Sequence, residues 1–106
     1  MDKLTKSDID KRLKKLKRWS IKGQSLHKEY KFKDFKTAIR FINFLAIQAE
    51  VLNHHPDLTN SYDKVTIDIT THEVKGLTEV DFTLAERIDD SYDQLIFLGD
   101  ERFLGL

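Results

Sequence analysis

The sequence predicts a two-layer α+β domain in which helices cover one face of a four-stranded antiparallel sheet. Apolar residues recur at helical spacing in three segments, and they alternate with polar residues in other segments, as strands do. The order of these segments is helix, two strands, helix, two strands, helix (α-β-β-α-β-β-α). Such an order places the helices together on one side of an antiparallel sheet, so we expect a single domain over residues 1–106.

The composition fits one small soluble domain. With 106 residues, 40% apolar and 34% charged, the chain can bury only a modest core, and small domains often gain stability by forming homo-oligomers. The chain has no cysteine, which excludes disulfides, thiolate metal sites and cysteine nucleophiles. Because the N-terminus is charged and no segment reaches about 20 apolar residues, we expect a cytoplasmic protein without a membrane span.

A basic helix is predicted over residues 5–17, with Thr5 or Ser7 as its N-cap. Residues 1–22 carry a net charge of +6, and a basic segment of this kind can mark a nucleic-acid surface. Apolar residues nevertheless recur at helical spacing beneath the lysines, which favours the solvent-facing side of an amphipathic helix. They are Ile9, Leu13 and Leu16. We therefore expect no direct nucleic-acid binding.

Two strands and a long helix follow the basic segment. Residues 19–22 and 26–32 are predicted to form a hairpin across a turn at Gly23, although Lys28 falls on the apolar side of the second strand. Asp34 is then placed to cap the most strongly amphipathic helix of the chain. The apolar stripe of this helix comprises Phe35, Ala38, Phe41, Ile42, Leu45, Ala46, Ala49 and Leu52.

The second half of the chain contains two more strands and a last helix. Pro56 disfavours helical structure at the residue before it, which interrupts the long helix. Residues 58–62 and 64–71 are predicted strands, the second with strict alternation of apolar and polar side chains. Thr78, with Asp81 three residues later, forms a capping-box pattern for the last helix.

A C-terminal extension, residues 89–106, follows the domain core of about residues 19–88. Residues 79–106 carry a net charge of −6, opposite to the N-terminal segment, so the two ends of the chain are expected to attract each other. The extension is too apolar for a disordered end, and we expect it to continue the last helix as far as Gly99. It should pack against its own domain or a neighbouring subunit. Its apolar residues are Tyr92, Leu95, Ile96, Leu98, Phe103, Leu104 and Leu106.

Three of the four histidines lie close together in the sequence, with the only proline. His54 and His55 follow the long helix and precede Pro56, and Glu50 lies one helical turn before His54. His72 lies at the end of a predicted strand, where it can approach the other two if that strand packs under the helix. Imidazole both gives and takes a proton near neutral pH, so the cluster indicates a proton-transfer site.

Three interpretations of this cluster remain open from the residues alone. The histidines can simply cap and fill turns. Glu50, His54 and His72 are acceptable zinc ligands, but their spacing matches no standard zinc site. Acid–base catalysis without a cofactor needs one imidazole to protonate a leaving group and a second base to remove a proton, which two separately held histidines provide.

One pattern joins the histidines with the residues around them: Glu50-x-x-x-His54-His55-Pro56, five residues, Tyr62, nine residues, His72, eight residues and Asp81. This pattern resembles the signature of the pterin-4a-carbinolamine dehydratases, also called 4a-hydroxytetrahydrobiopterin dehydratases. The similarity covers roughly residues 19–88. Seven fixed points at defined spacing make it a specific signal.

The resemblance implies an activity and a mechanism. The activity is dehydration of 4a-hydroxytetrahydropterin to the quinonoid dihydropterin, a step in tetrahydrobiopterin recycling. The resemblance implies a small-molecule pterin substrate, no metal, no organic cofactor and a homodimer or homotetramer. His54 and His72 would act as acid and base, and His55 would hold and polarise the pterin beside them.

The resemblance also implies which residues surround the pterin. Glu50 would orient His54 or its neighbour, and Asp81 is also explained by its capping position. Asn53 stands where some relatives have Asp, and an amide cannot act as a carboxylate base. The residues expected to bind or line the substrate are Glu50, Asn53, Pro56, Thr70, Thr71, Glu73 and Asp81.

A binding module is the alternative function. Members of this family also act as dimerisation partners of transcription factors, and some relatives have lost catalysis and serve as assembly factors. A protein that only binds would tolerate loss of the histidines. Because His54, His55 and His72 are all present, the sequence favours the enzyme.

Overall fold

The structure, a computed structural model, describes residues 2–98, which form three α-helices and one four-stranded sheet. The elements are α1 Lys6–Leu13, β1 Ser20–Lys22, β2 Ser25–Lys31, α2 Phe35–Leu52, β3 Asp57–Ser61, β4 Lys64–Ile69 and α3 Glu79–Leu98. A short 3-10 helix, His72–Val74, lies between β4 and α3. The strands are antiparallel in the order β1-β2-β4-β3. The predicted α+β architecture and the order of its elements are confirmed.

β2 and β4 form the centre of the sheet and carry its buried face. Leu26 pairs with Ile69, and Tyr30 pairs with Val65. In β4, Val65, Ile67 and Ile69 are fully buried, whereas the residues between them are partly accessible. The predicted alternation therefore places one face of β4 in the core and leaves the other face accessible.

α1 begins as predicted from its N-cap. The side chain of Thr5 accepts a hydrogen bond from the N–H of Asp8, and the Asp8 carboxylate accepts from the N–H of Thr5 in return. The Thr5 hydroxyl also donates to Oδ2 of Asp8 at 2.9 Å, and this bond, followed by the one from the Thr5 N–H, lowers the pKa of Asp8. Of the two residues predicted as possible caps, Thr5 takes the role.

α1 ends earlier than predicted, at Leu13 instead of near residue 17. Beyond Leu13 the backbone forms hydrogen bonds of the 3-10 type, which span three residues instead of four. The N–H of Lys15 donates to the carbonyl of Arg12, and the N–H of Leu16 donates to the carbonyl of Leu13. Arg18 then adopts a left-handed conformation with φ of 63°. This turn brings the next residue, Trp19, into the core. The amphipathic pattern of α1 alone does not indicate that the helix must end early to allow this.

Lys28 lies on the buried face of β2 because it has charged and polar partners there. Its Nζ donates to Oδ1 of Asp89 at 2.8 Å and to the carbonyl of Lys17 at 2.6 Å. Asp89, on α3, also accepts from the Tyr30 hydroxyl and, at 3.0 Å, from the indole N–H of Trp19. The side chains of Lys28 and Asp89 are only 11% and 14% exposed. The carboxylate of Asp89 on α3 thus explains why a lysine can occupy the apolar face of β2.

Aromatic rings from β2, α2 and α3 meet in the core. The ring centroids of Tyr30 and Phe41 lie 4.6 Å apart, and those of Tyr30 and Tyr92 lie 5.1 Å apart. Tyr92 and the buried Leu95 belong to α3, so the first part of the C-terminal extension continues this helix and packs against its own domain. The predicted break at Gly99 and the apolar residues Phe103, Leu104 and Leu106 lie outside the described residues.

No helix within residues 2–98 combines the length and the apolar character needed to cross a bilayer. Even the apolar helix α2 carries charged side chains, among them Lys36, Arg40 and Glu50.

Lys28→Met should lower the free energy of unfolding by about 3 kcal/mol, because it leaves the Asp89 carboxylate buried without its cation. Urea unfolding at equilibrium measures this loss. Lys64→Met is the matched control: its ion pair with Glu29, 3.6 Å long, is about half exposed and should contribute less than about 1 kcal/mol. Equal losses in the two variants would contradict a structural role for the Lys28–Asp89 pair.

Tyr30 should make stability fall at alkaline pH. Burial, reinforced by the hydrogen bond to Asp89, raises the pKa of Tyr30 above its ordinary value of about 10. A raised pKa in the folded state gives stability that is fully present below about pH 10 and is lost as the pH rises beyond it. Phenolate absorbance should therefore show the ionisation of Tyr30 only as the protein unfolds.

The control for this titration is Tyr30→Phe, which should abolish both the late ionisation and its share of the alkaline loss of stability. Ionisation of Tyr30 at about pH 10 while the protein stays folded would contradict the prediction.

Candidate active site

The end of α2 directs two histidines out of the helix. Asn53 adopts a left-handed conformation (φ 49°, ψ 44°), and its N–H donates to the carbonyls of Ala49 and Glu50. Asparagine is one of the few residues besides glycine that take this conformation readily at a helix end. The helix therefore stops at an Asn53 cap, three residues before the Pro56 that predicted the interruption. His54 is the first residue beyond the cap.

His54 binds a buried carboxylate. Its Nε2 lies 2.6 Å from Oδ1 of Asp81, which is in the first turn of α3. The Asp81 side chain is completely buried, and that of His54 is 14% exposed. Because a carboxylate oxygen accepts and cannot donate, we assign the proton to Nε2, which leaves Nδ1 as the basic nitrogen. Within residues 2–98, Nδ1 has no hydrogen-bond partner.

Asp81 joins three parts of the fold through its two oxygens. Oδ1 faces His54 after α2, and Oδ2 accepts from the hydroxyl of Thr71 at 2.7 Å and from the N–H of Thr78 at 2.8 Å. Thr71 follows β4, and Thr78 immediately precedes α3. The bond from the Thr78 N–H is the backbone half of the predicted capping box. The bond to His54 adds a second role, which a capping pattern does not reveal.

His55 pairs with Glu50 at the protein surface. Its Nε2 lies 2.5 Å from Oε2 of Glu50, and the two side chains are 55% and 76% exposed. The resemblance implies that Glu50 orients His54 or its neighbour, and in the structure Glu50 binds the neighbour, His55. The turn at Asn53 explains this choice, because it directs His54 inward to Asp81 and leaves His55 beside the last turn of the helix.

His72, like His55, is exposed, and it begins the 3-10 turn after β4. The N–H of Thr71 donates to the Gly76 carbonyl at 2.9 Å, and Lys75 takes a left-handed conformation with φ of 54°, which closes the turn. Within the part of the chain that is described, the His72 imidazole has no hydrogen-bond partner. One carboxylate thus anchors both histidines, His54 directly and His72 through the adjacent Thr71.

The other residues expected around the substrate fall into an accessible and a buried group. Thr71 and Asp81 are buried on the protein side of His54, so neither forms part of an open surface. Tyr62 of the sequence pattern lies in the turn between β3 and β4 and is 66% exposed. The accessible or partly accessible members are Glu50, Asn53, Pro56, Thr70 and Glu73.

Sequence reasoning missed Thr78 as a side-chain partner in the site. Its Oγ1 lies 3.0 Å from Oγ1 of Thr71, and both side chains are buried. Two threonines at the ends of different elements give no periodic signal. Only their common contact with Asp81 identifies them.

A zinc site would require Glu50, His54 and His72 to converge on one point. Glu50 instead binds His55, and His54 binds Asp81. Across residues 2–98, no three side chains of His, Cys, Asp or Glu form a group that could hold a metal ion.

Known proteins share this chain's sequence over most of its length. The profile of the family described as pterin 4 alpha carbinolamine dehydratase matches residues 2–91. A relative from Sulfurisphaera tokodaii is 43% identical over 90 residues, which are 85% of this chain and 97% of the relative. A relative from Solibacter usitatus is 44% identical over 87 residues, 82% of this chain and 92% of its own. Both are provisionally named pterin-4-alpha-carbinolamine dehydratases.

Solved structures share the fold. The crystal structure of a transcriptional coactivator/pterin dehydratase from Brucella melitensis matches with a TM-score of 0.82 and 35% identity, over 85% of this chain and 98% of that one. A pterin dehydratase-like protein identified as a RuBisCO assembly factor in the alpha-carboxysome matches with a TM-score of 0.59 and 22% identity, over 72% and 88% of the two chains. This second likeness concerns the fold alone. From the profile match and the identity to its relatives, we conclude that the chain belongs to the pterin 4 alpha carbinolamine dehydratase family.

Proposed function

We propose that the chain is a dehydratase (a hydro-lyase) that converts 4a-hydroxytetrahydropterin to quinonoid dihydropterin and water, in tetrahydrobiopterin recycling. One observation carries the proposal: the Nε2 of His54 is fixed on the buried carboxylate of Asp81, and its Nδ1 is left to exchange a proton. The exposed His72 supplies a second imidazole nearby in the fold. Membership of the family supports the class of substrate.

The elimination needs two proton transfers. In this proposal, Nδ1 of His54 takes the proton from N5 of the pterin, and His72 gives a proton to the 4a-hydroxyl. The hydroxyl leaves as water while the double bond forms between C4a and N5. The proton taken up by His54 then passes through solvent to His72, which restores both histidines. No electron transfer and no Lewis acid is required, so the proposal includes no metal and no cofactor.

Asp81 balances the positive charge that His54 acquires during this cycle. Donors from Thr71 and Thr78 hold the carboxylate in place, so it does not have to reorient when the charge appears. His55, paired with Glu50 at the surface, would hold and polarise the pterin. Asn53, Pro56, Thr70 and Glu73 would line the pterin ring.

We also propose that the protein is a homodimer or homotetramer. Ile47 and Val51 lie one helical turn apart on α2 and are 57% and 66% exposed, which is apolar surface that self-association would cover. Sedimentation velocity tests this assembly. A cytoplasmic location stays a prediction.

His54→Ala and His72→Ala should each reduce turnover about 10²-fold or more, the factor typical of a lost general acid or base. The assay is the formation of the quinonoid product from chemically generated 4a-hydroxytetrahydropterin, with the uncatalysed rate subtracted. In the double variant, the rate that remains after this subtraction should be close to zero.

His27→Ala is the matched control and should keep wild-type turnover. His27 is also paired with a carboxylate, that of Asp68 at 2.8 Å, but it alternates with the buried Leu26 and so faces away from the helices. Wild-type rates in folded His54→Ala and His72→Ala proteins would exclude the acid–base assignment. No acceleration by the folded wild type would favour the binding module instead.

A further inference from the structure

We infer that Thr71 is a positioning residue: its buried hydroxyl orients the Asp81 carboxylate and thereby fixes the imidazole of His54 relative to His72. This inference rests on the proposed dehydratase function. It replaces the expectation that Thr71 touches the pterin, because the Thr71 side chain lies in the interior and the residue is only 3% exposed.

The contacts of the Thr71 hydroxyl determine where its proton points. Oγ1 of Thr71 lies 2.7 Å from Oδ2 of Asp81 and 3.0 Å from Oγ1 of Thr78. A hydroxyl has one proton, and a carboxylate accepts without donating, so the Thr71 proton points to Asp81. The Thr78 hydroxyl then donates to Thr71. The bonds therefore run in one direction, from Thr78 through Thr71 to Asp81.

The Asp81 carboxylate depends on these donors for its orientation. Rotation of a carboxylate about its last side-chain bond has broad minima, so the side chain alone does not fix which way the oxygens point. Asp81 is completely buried, so hydrogen bonds from the protein must fix the orientation of its oxygens. Oδ2 takes the donors from Thr71 and Thr78, and this leaves Oδ1 directed at Nε2 of His54. Loss of the Thr71 hydroxyl removes one of the donors that hold Oδ2.

Thr71 also fixes the position of His72 through the backbone. Its N–H donates to the Gly76 carbonyl at 2.9 Å, and its carbonyl accepts from the Gly76 N–H at 3.4 Å. These two bonds close the turn that His72 begins. The side chain of Thr71 thus holds one histidine of the proposed acid–base pair, and its main chain holds the other.

The test compares Thr71→Val, which removes the hydroxyl and keeps the branched shape, with Thr71→Ser, which keeps the hydroxyl. Thr71→Val should lower kcat about 10-fold, as expected for loss of a hydrogen bond to a charged group, and leave KM within about twofold. Thr71→Ser should recover most of kcat. Thr66→Val, on the accessible face of β4, is the control and should retain wild-type kinetics.

A second readout does not depend on activity. In the substrate-free full-length protein, the 15N chemical shifts of the His54 ring nitrogens should change in Thr71→Val and return toward wild type in Thr71→Ser. If Thr71→Val does not fold, Thr71→Ala removes the same hydroxyl without placing a methyl group against Asp81.

The outcomes separate the inference from the proposed function. Unchanged kcat and unchanged His54 shifts in folded Thr71→Val would overturn the inference, and so would a lower melting temperature as the only effect. If the wild type has no dehydratase activity, the proposed function fails, and the His54 shifts alone decide whether Thr71 positions the imidazole.

Discussion

The buried carboxylate of Asp81 is the interaction on which the candidate site depends. A charged or polar group without access to water is stable only when the protein supplies its hydrogen bonds. Asp81 obtains them from His54 after α2, Thr71 after β4 and Thr78 before α3. Satisfying one carboxylate therefore requires these three segments to meet at one point, which is where the two histidines of the proposed reaction are brought together.

A second carboxylate on α3 controls the position of this helix along the sheet. Asp89 lies about two helical turns beyond Asp81 and binds Lys28, Tyr30 and Trp19. Asp81 thus connects α3 to the ends of α2 and β4, and Asp89 connects it to β2 and the segment before β1. Two polar contacts at separate points fix both the sliding and the rotation of the helix, while apolar packing by itself constrains these less sharply. Because His54 binds Asp81 on α3, the position of this helix also determines the position of the His54 ring.

Local patterns predicted most of the fold because they depend on neighbours in the sequence. The Asp34 cap, the apolar stripe of α2 and the alternation from Val65 to Ile69 are all short-range signals. Lys28 and the early end of α1 were harder to predict, because their explanations lie in a distant carboxylate and in the entry of Trp19 into the core.

The site shows the same division between local and distant signals. The spacing of the residues identified the three histidines, but it did not assign the carboxylate partners of His54 and His55. Local helical geometry allowed Glu50 to pair with His54 or with its neighbour. The left-handed conformation of Asn53 directs His54 to Asp81, which lies 27 positions later, and so leaves His55 as the partner of Glu50. The spacing of apolar and polar residues does not predict a left-handed backbone conformation at a single residue.

The strand order has a consequence for when the site comes into existence. β1 with β2, and β3 with β4, are hairpins of sequence neighbours, whereas β2 reaches β4 only across the whole of α2 and β3. Closing that longer loop costs more chain entropy, so the central pairing is expected to be the slower event. Asp81 lies beyond all four strands in the sequence, so its bond to His54 forms only when the start of α3 meets the end of α2. The orientation of the His54 ring therefore reports whether α3 has docked.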